Sequence, residues 1–305
     1  MSDLSTRPLT IDDAEAVYGV MAALETAETG SPTIELADIL ADWSEPGYDV
    51  AAHTVGVFEG DRLLGYAEHV GHDRGDLAHL PGRSELLPVL AGHLVELARR
   101  AGAERVGLPM PAGSGRDVRL AELGWQARWS SWQLELPEGA AIPDRPLPEG
   151  YVVRAAEEAE HEACWTVIED AFLEWSQRPR VTFDQWAARS TRRLGWESWL
   201  LRVVVSPVGE VVAVAVLRLS ENGDGYVDQL ATRADHRGLG LAQALLADAY
   251  REARAHGARR STLTTDSRTG ALGLYEHVGM VVVSTWVNRA TATGVASDDS
   301  GVARS

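Results

Sequence analysis

Apolar residues recur along the chain with two alternating periods, and these periods follow the same order in both halves. A strand, a tight turn and a second strand are predicted over 53–70 and again over 199–219. A long amphipathic helix that ends at a glycine follows in each half, at Gly102 and at Gly257. Strands that alternate with helices predict the α/β class, which some schemes name α+β.

Each half then finishes with a strand, a short helix, a glycine before a large apolar residue, and a final strand. Gly124 in the first half corresponds in this pattern to Gly279 in the second. The pairs Gly102/Gly257 and Gly124/Gly279 are separated by the same number of residues. A constant offset at two landmarks indicates an internal duplication, so we expect two domains of similar fold.

The length and the proline pattern predict where these domains begin and end. A chain of 305 residues is long enough for two domains of about 150 residues each. Residues 136–148 read LPEGAAIPDRPLP, and four prolines in this run exclude a helix or a central strand. We therefore predict a first domain over 1–136, an exposed Pro-rich linker over 137–149 and a second domain over 150–290. Residues 291–305 lack bulky apolar side chains and are expected to form a disordered tail.

The charge of the chain limits the class of partner. The formal net charge is −17, and all 28 basic residues are arginine. Residues 1–149 hold 25 acidic residues and 11 arginines, whereas residues 150–305 hold 20 and 17. An acidic chain is a poor match for the phosphates of nucleic acid, so we expect no nucleic-acid partner. An anionic ligand would favour the nearly neutral second half over the acidic first half.

Other features of the composition concern the compartment. No stretch approaches the roughly 20 apolar residues of a membrane span, and residues 1–10 lack an apolar signal core. The single cysteine, Cys164, excludes an internal disulfide and lies among apolar residues, which indicates a buried, inert thiol. These features predict a cytoplasmic protein without a membrane partner. The sequence contains no signal for an oligomeric state.

The clearest candidate for chemistry is a glycine-rich turn at the start of a helix. A β-prone stretch over 226–232 leads into the segment RGLGLA at 237–242, and an amphipathic helix follows. Glycines at a helix N-terminus allow backbone N–H groups to approach an anion closely, and the helix dipole favours negative charge there. The turn is therefore a candidate cradle for a diphosphate.

Two common phosphate-binding turns do not match this segment. A P-loop needs a lysine after its last glycine, and the chain contains no lysine. A dinucleotide-binding turn has a third small residue where Gln243 stands, and it normally opens its domain rather than following three strands. A purely structural turn between a strand and a helix is the weaker remaining alternative.

A second motif follows the next predicted strand, 259–265, and reads TGALGLYEHVGM over 269–280. Together the two segments resemble the GNAT superfamily of N-acetyltransferases, whose patterns are Arg/Gln-x-x-Gly-x-Gly/Ala and Ala-x-x-Leu-Tyr-x-x-x-Gly-Phe. Four residues match the second pattern in register: Ala271, Leu274, Tyr275 and Gly279. The resemblance covers residues 150–290. With the internal repeat, it indicates a tandem GNAT protein, similar in layout to the mycothiol synthases.

The resemblance implies a fold and a cofactor site. Each domain is expected to hold a central, mostly antiparallel sheet flanked by helices. The strands at 226–232 and 259–265 are expected to splay apart around the pantetheine arm of acetyl-CoA. Backbone groups of Leu230 and Thr232 are implied to bind that arm. The diphosphate is implied to lie against the loop and the first helical turn: Arg237, Gly238, Leu239, Gly240, Leu241, Ala242 and Gln243.

The resemblance also implies that an acceptor amine attacks the thioester directly, without a covalent enzyme intermediate. The backbone N–H of Leu230 is then the candidate donor to the developing oxyanion. Tyr275 matches the family's tyrosine that protonates the departing thiolate, with a buried structural tyrosine as the alternative. GNAT enzymes often carry glutamate at the position of Tyr226. Strand alternation places Tyr226, Asp228 and Leu230 on one face, so Asp228 is the candidate base, and a satisfied polar residue is the equal alternative.

The first half lacks both motifs. The loop at 78–84 has no spaced glycines, and the segment 119–125 has no tyrosine. We therefore expect one acetyl-CoA per chain, bound in the second half, beside a degenerate first domain. No metal is expected, and a polar loop is favoured over a metal site for one group of residues without recurring ligand spacing: His69, His72, Asp73, Asp76 and His79.

The sequence thus predicts an N-acetyltransferase that moves an acetyl group from acetyl-CoA to an amine of a small molecule. Two alternatives stay open: acetylation of a protein N-terminus, and a non-catalytic acyl-CoA-binding sensor. The sensor is favoured by two departures from the family pattern, at Tyr226 and at Arg268, where the family commonly has asparagine. The acceptor pocket is expected among the first two helices of the second half, in which six residues stand out: Trp165, Phe172, Glu174, Trp175, Trp186 and Trp196.

Overall fold

The computed structural model describes residues 4–32, 34–45, 47–176, 178–220 and 223–295. The chain forms two compact units. The first unit consists of Met1–Ser130 and Trp286–Ser305, and the second unit is Ser131–Thr285.

The first part of the chain alternates between strands and helices, as the sequence predicted. Its strands are β1 Leu4–Arg7, β2 Thr54–Glu59, β3 Arg62–Gly71, β4 Arg74–His79, β5 Arg105–Pro111 and β6 Gln126–Glu135. Its helices are α1 Ala14–Thr29, α2 Leu36–Trp43, α3 Val50–His53, α4 Leu87–Arg100 and α5 Gly115–Glu122.

The second part repeats this alternation. Its strands are β7 Val152–Ala155, β8 Leu201–Val205, β9 Val211–Leu219, β10 Asp224–Thr232, β11 Arg260–Asp266 and β12 Val281–Ala292. Its helices are α6 His161–Leu173, α7 Phe183–Arg189, α8 Leu241–Ala255 and α9 Leu272–His277.

Both units contain a mostly antiparallel sheet with helices packed on it, which confirms the predicted fold class. In the first unit the strand order is β1-β2-β3-β4-β5-β12, and only β4 and β5 are parallel. In the second unit the order is β6-β11-β10-β9-β8-β7, and only β10 and β11 are parallel. The same arrangement of six strands in each unit matches the duplication inferred from the glycine landmarks.

The central strands of the second unit are apolar on both faces because helices cover both. Val204 packs with Leu245 of α8, whereas its neighbour Val203 packs with Ile168 of α6. The predicted apolar face of α8 is buried against the first of these clusters. This double coverage explains why β8 and β9 read as continuous apolar runs rather than as alternating ones.

No helix in the described ranges is long and apolar enough to cross a membrane.

The final strand of each sheet differs from the expected domain boundaries of 1–136 and 150–290. Residues 131–135 of β6 pair with β11 inside the second unit. Residues 286–292 of β12 pair with β5 inside the first unit. The second half of the chain therefore supplies the last strand of the first unit. A strand's apolar period is the same whichever strand it pairs with, so the sequence pattern does not encode this choice.

The expected disordered tail is ordered at its start. Strand β12 continues to Ala292, and the backbone N–H of Thr293 donates to the carbonyl of Glu104 at 3.0 Å. Backbone pairing holds these residues without bulky side chains. Residues 296–305 lie outside the described part of the chain.

The Pro-rich segment also differs from an exposed linker. It contains neither helix nor strand over 137–149, as four prolines predict. However, Ile142 is only 6% exposed and belongs to the apolar core of the second unit. The carbonyl of Pro143 accepts a hydrogen bond from Gln243 Nε2 at 3.0 Å. This segment is therefore anchored to the start of α8.

Candidate active site

The parallel strands β10 and β11 separate after four residue pairs. Their pairing runs from Asp224–Arg260 to Val227–Leu263 and then stops. Beyond that point β10 follows β9 as far as Thr232, whereas β11 follows β6 as far as Asp266. A cavity of about 630 Å³ opens where the two strands part, and both strands line it. The splay that the family resemblance implied is present.

On the side of β10 that borders the cavity, the backbone groups are directed into this gap. In the antiparallel pair with β9, the N–H of Arg233 donates to the carbonyl of Val212 at 2.9 Å. Successive residues of an antiparallel strand alternate between facing their partner strand and facing away from it. Counting back along the register, the backbone groups of Leu230 and Thr232 face away from β9 and toward the gap. These are the two residues that the family resemblance implies for a pantetheine arm.

The glycine-rich loop closes one end of the cavity. Gly238 and Gly240 have φ angles of +77° and +79°, a region that other residues rarely adopt. Helix α8 begins directly afterwards, and its first intrahelical bond runs from the N–H of Ala244 to the carbonyl of Gly240. The N–H groups of the preceding helical residues, 241–243, therefore have no acceptor in their own helix. They add to the positive end of the dipole of a 15-residue helix.

Nearly all of the predicted loop residues line the cavity; Leu239 does not, and it is 40% exposed. All three nitrogens of the Arg237 side chain donate to protein groups. Its guanidinium donates to both carboxylate oxygens of Glu174 at 2.7 Å, and its Nε donates to the carbonyl of Thr232 at 3.1 Å. The motif arginine thus ties the loop to the segment after α6 and to the end of β10.

A cationic side chain that the sequence analysis missed also lies at this loop. Arg145, from the Pro-rich segment, lines the cavity, and its Cζ lies 2.9 Å from where a Cβ atom on Gly240 would stand. The only sequence signal was an arginine between two prolines, which carries no information about its distant partner.

Tyr275 lines the cavity from α9 and is 7% exposed. Burial raises the pKa of its phenol to about 12. The negative charge that a nearby ionised Tyr226 would carry acts in the same direction. The Tyr275 hydroxyl is therefore protonated throughout the neutral pH range and is available as a hydrogen-bond donor.

Asp228 also lines the cavity, but its geometry differs from the one that strand alternation predicted. A β-bulge lies between Val227 and Gln229, so Asp228 has no register partner on β9. The bulge shifts the alternation: Val227 and Leu230 both pack with the core on the α8 side. Simple alternation, which put Asp228 and Leu230 on one face, therefore does not hold across this stretch, because a bulge adds one residue to the strand. Oδ2 of Asp228 accepts a hydrogen bond from Arg218 at 3.0 Å.

Comparison with known proteins identifies the family to which this domain belongs. The model of the acetyltransferase (GNAT) family matches residues 154–280. These residues form a GNAT-family domain. A mycothiol acetyltransferase from Salinispora arenicola is 28% identical over 178 residues, 55% of this chain and 56% of that protein. A second one, from Salinispora tropica, is 30% identical over 170 residues, 52% and 53% of the two chains. The chain thus matches about half the length of these curated relatives.

Solved structures extend the likeness in fold to the whole chain. A GCN5-related N-acetyltransferase from Sphaerobacter thermophilus has a TM-score of 0.75 at 24% identity and covers 95% of this chain and 96% of its own. A tandem GNAT protein from the clavulanic acid biosynthesis pathway has a TM-score of 0.69 at 16% identity, with 96% and 99% covered. The two-unit architecture is therefore a tandem GNAT fold.

Two positions of the GNAT domain depart from the family pattern, and the structure gives each a local role. Burial raises the pKa of Tyr226, so its hydroxyl is protonated at neutral pH and does not accept a proton from an amine. Arg268 forms a bidentate pair with Asp266, at 3.1 and 2.6 Å, and its Cζ lies 4.9 Å from the centre of the Trp175 ring. Arg268 therefore links the end of β11 to the segment after α6.

The residues proposed for an acceptor pocket separate into two groups. Phe172, Glu174 and Trp175 line the cavity of the GNAT domain. The others have structural partners: Trp186 is buried and donates to Gln229, and Trp165 donates to the carbonyl of Val181. The end of α6 and the residues after it are thus the part of the expected pocket that faces the cavity.

The histidine-rich group of the first unit does not converge on one point. His69 and His79 lie on β3 and β4, and each makes a ring-nitrogen hydrogen bond to a backbone carbonyl, at 3.1 and 3.0 Å. Among the described residues, no three histidine, cysteine or carboxylate side chains are grouped to hold a metal ion. Cys164 is buried, and burial raises the pKa of its thiol to about 12, as an inert structural thiol requires.

Proposed function

We propose that this chain is an acetyl-CoA-dependent N-acetyltransferase that acetylates an amine of a small molecule by direct attack on the thioester. The observation that carries the proposal is the gap between β10 and β11. Its edge presents the backbone of Leu230 and Thr232, and its end meets the glycine-rich start of α8. A narrow polar-edged slot that leads to an anion cradle fits an amide-containing arm attached to a diphosphate.

The residues at the gap fit acetyl-CoA in their donor and acceptor chemistry. The gap-facing backbone of Leu230 and Thr232 can pair with the amides of pantetheine as a neighbouring strand would. Within the described ranges, the buried hydroxyl of Thr232 has no hydrogen-bond partner, which a polar ligand in the gap would supply. The free N–H groups of residues 241–243 suit the diphosphate. The residues that bind the diphosphate would thus be the loop residues 237–243 named in the sequence analysis, with Leu239 acting through its backbone.

In the proposed reaction, the neutral amine forms a bond to the thioester carbonyl carbon, and the carbon–sulfur bond then breaks. The N–H of Leu230 donates to the carbonyl oxygen as negative charge develops on it. The amine gives up one proton, and the products are an N-acetyl compound and the free thiol of coenzyme A. Asp228, on its bulge at the cavity, accepts the amine proton through a water molecule, although doing so weakens its ion pair with Arg218.

Tyr275 assists the departing sulfur. A phenol with a pKa of about 12 holds its proton more tightly than a thiol, whose pKa is about 8.5. Complete proton transfer to the thiolate would cost about 5 kcal/mol. Tyr275 therefore stabilises the developing thiolate by donating a hydrogen bond, and the proton that neutralises it comes finally from solvent.

The acceptor enters from the side of the cavity formed by Phe172 and Trp175. Aromatic faces of this kind suit a small organic amine. The names of the curated relatives make a mycothiol-related amine the first acceptor to test. A peptide N-terminus is the second, because the same chemistry would acetylate it.

A non-catalytic acyl-CoA-binding sensor is the second candidate function. The observation in its favour is the Arg218–Asp228 ion pair, which engages the candidate base. A sensor needs the gap and the loop but no base.

One experiment separates the candidates. The purified full chain is titrated with acetyl-CoA by calorimetry, and release of free thiol is then followed with a panel of amino sugars, mycothiol-related amines, amino acids and peptides. We expect one acetyl-CoA per chain and thiol release that depends on one amine class. Binding without release by any amine supports the sensor, and no binding of acetyl-CoA refutes both.

A further inference from the structure

The side chain of Arg145 lies directly over the glycine-rich loop. Its Cδ and Cζ atoms are 2.5 and 2.9 Å from the position that a Cβ atom on Gly240 would occupy. Gly240 therefore has two reasons to be glycine: its left-handed backbone, and the space that Arg145 occupies. A cation is thereby held next to the N–H groups that open α8.

The backbone around Arg145 is fixed on both sides. On one side, Ile142 is buried in the core and the carbonyl of Pro143 accepts the hydrogen bond from Gln243. On the other side, Leu147 packs against the same core. Prolines on either side of Arg145 restrict the backbone further. Arg145 thus reaches the loop from a pre-ordered segment, which lowers the entropy lost when a ligand binds.

The charge of Arg145 is available to a ligand. Among the residues that the structure describes, no carboxylate forms an ion pair with it. Arg237, the arginine of the motif itself, is in contrast bound to Glu174 through both of its terminal nitrogens. A guanidinium forms paired, charge-assisted hydrogen bonds with phosphate oxygens. The cation that faces the loop is therefore Arg145 rather than the motif arginine.

We propose that Arg145 binds the diphosphate of coenzyme A, holding it between its guanidinium and the N–H groups of residues 241–243. This inference rests on the proposed function, because it takes coenzyme A as the ligand. It assigns to the Pro-rich segment a binding role that neither the repeat nor the motif carries. It also gives the two arginines different roles: Arg237 orders the loop, and Arg145 contacts the ligand.

The test compares the affinities of three ligands for Arg145→Gln and for the unaltered chain. Loss of one charge-assisted contact should weaken the binding of coenzyme A roughly 10- to 100-fold in calorimetry. Dephospho-coenzyme A, which lacks the 3′-phosphate, should show the same loss, because the diphosphate remains. Pantetheine, which lacks both, should bind the two proteins equally when followed by NMR. Arg145→Lys should recover part of the affinity.

The matched control is Arg189→Gln, since Arg189 is an exposed arginine of the same unit that does not line the cavity. It should leave all three affinities unchanged. Equal coenzyme A affinity in Arg145→Gln and the unaltered chain overturns the inference and leaves the proposed function standing. If Arg145→Gln loses affinity for coenzyme A but not for dephospho-coenzyme A, Arg145 contacts the 3′-phosphate. If it also loses affinity for pantetheine, Arg145 has only a structural role. Either result overturns the diphosphate assignment. If the unaltered chain binds no coenzyme A, the proposed function itself fails.

Discussion

In each unit a parallel pair of strands opens after a short stretch of pairing, but the two gaps are filled differently. In the first unit β4 and β5 pair at Arg74–Gly107, and an arginine side chain reaches the backbone of β4 beyond that point. Arg116 of α5 donates to the carbonyl of Leu77 at 2.9 Å, and it also forms a bidentate pair with Glu28. In the second unit the corresponding backbone edge, at Leu230, borders a cavity. The same strand geometry thus receives an arginine side chain in one copy and borders a cavity in the other.

The helix that follows the gap shows the same contrast. Helix α8 starts at a left-handed glycine, whereas the residue before α4 is Leu86, with a φ of −77° and right-handed backbone. The position of Tyr275 is taken in the first unit by Leu120, which is fully buried. The two units therefore share a fold but differ in which side chains enter the gap and in whether the following helix starts at a left-handed glycine.

The strongest test of the contrast between the two gaps removes the guanidinium of Arg116 from the gap of the first unit. Arg116→Met leaves the carboxylate of Glu28 and the carbonyl of Leu77 without their buried partner. We expect the free energy of unfolding to fall by about 3–5 kcal/mol, measured by urea denaturation, with coenzyme A affinity unchanged. Arg119→Met on the same helix is the control, because the Arg119–Glu122 pair is half exposed and should contribute less than about 1 kcal/mol. Equal effects of the two variants would mean that Arg116 does not support the first unit.

The second change obstructs the open gap at its glycine-rich end. Gly240→Val forces a β-branched side chain into a left-handed backbone and into the space held by Arg145. We expect at least a roughly 100-fold loss of acetyl-CoA affinity in calorimetry, while the unaltered chain binds one equivalent. Gly257→Val, at the other end of α8, carries the same backbone strain in open space and should retain binding. Undiminished affinity in Gly240→Val, or two equivalent sites per chain, would contradict the assignment of the loop.

The third prediction concerns Tyr275, whose position in the first unit is taken by Leu120. Tyr275→Phe keeps the ring and removes the hydroxyl, so we expect kcat to fall roughly 100-fold with little change in acetyl-CoA affinity. Because burial holds the pKa of the phenol at about 12, the ratio of the two rates should stay constant between about pH 6 and pH 9.

The control for this change is Tyr250→Phe. The Tyr250 hydroxyl is buried and donates to the carbonyl of Thr262 at 2.9 Å, away from the cavity lining. Its removal should lower stability by about 1 kcal/mol and leave kcat unchanged. Equal rates of Tyr275→Phe and the unaltered chain, with chemistry rate-limiting, would exclude the donor role of Tyr275.

Local and long-range features of this site differed in how well the sequence predicted them. The glycine turn and the apolar face of α8 follow from short segments whose residues are neighbours in the chain, whereas the splayed strands were expected only from the family resemblance. The bulge at Asp228 does not alter the composition of its strand, so simple alternation does not reveal the shift that the bulge introduces. Arg145 reaches Gly240 from a distant segment, and the pairing of β6 and β12 depends on partners elsewhere in the chain. These contacts are set by tertiary packing, which periodicity does not record.

The smallest expected effect tests whether the bulge of β10 carries the base. Asp228→Asn keeps the shape of the side chain and removes its ability to accept a proton. We expect kcat/KM to fall about tenfold, at the low end for general base catalysis, because the carboxylate acts through water and is shared with Arg218. The decisive readout compares turnover with binding: Asp228→Asn should lower kcat/KM and leave acetyl-CoA affinity in calorimetry unchanged. Asp224→Asn, which breaks an ion pair with Arg260 outside the cavity lining, should leave both quantities unchanged. Equal kcat/KM in Asp228→Asn and the unaltered chain would remove the base from this strand and leave β10 with only its backbone role.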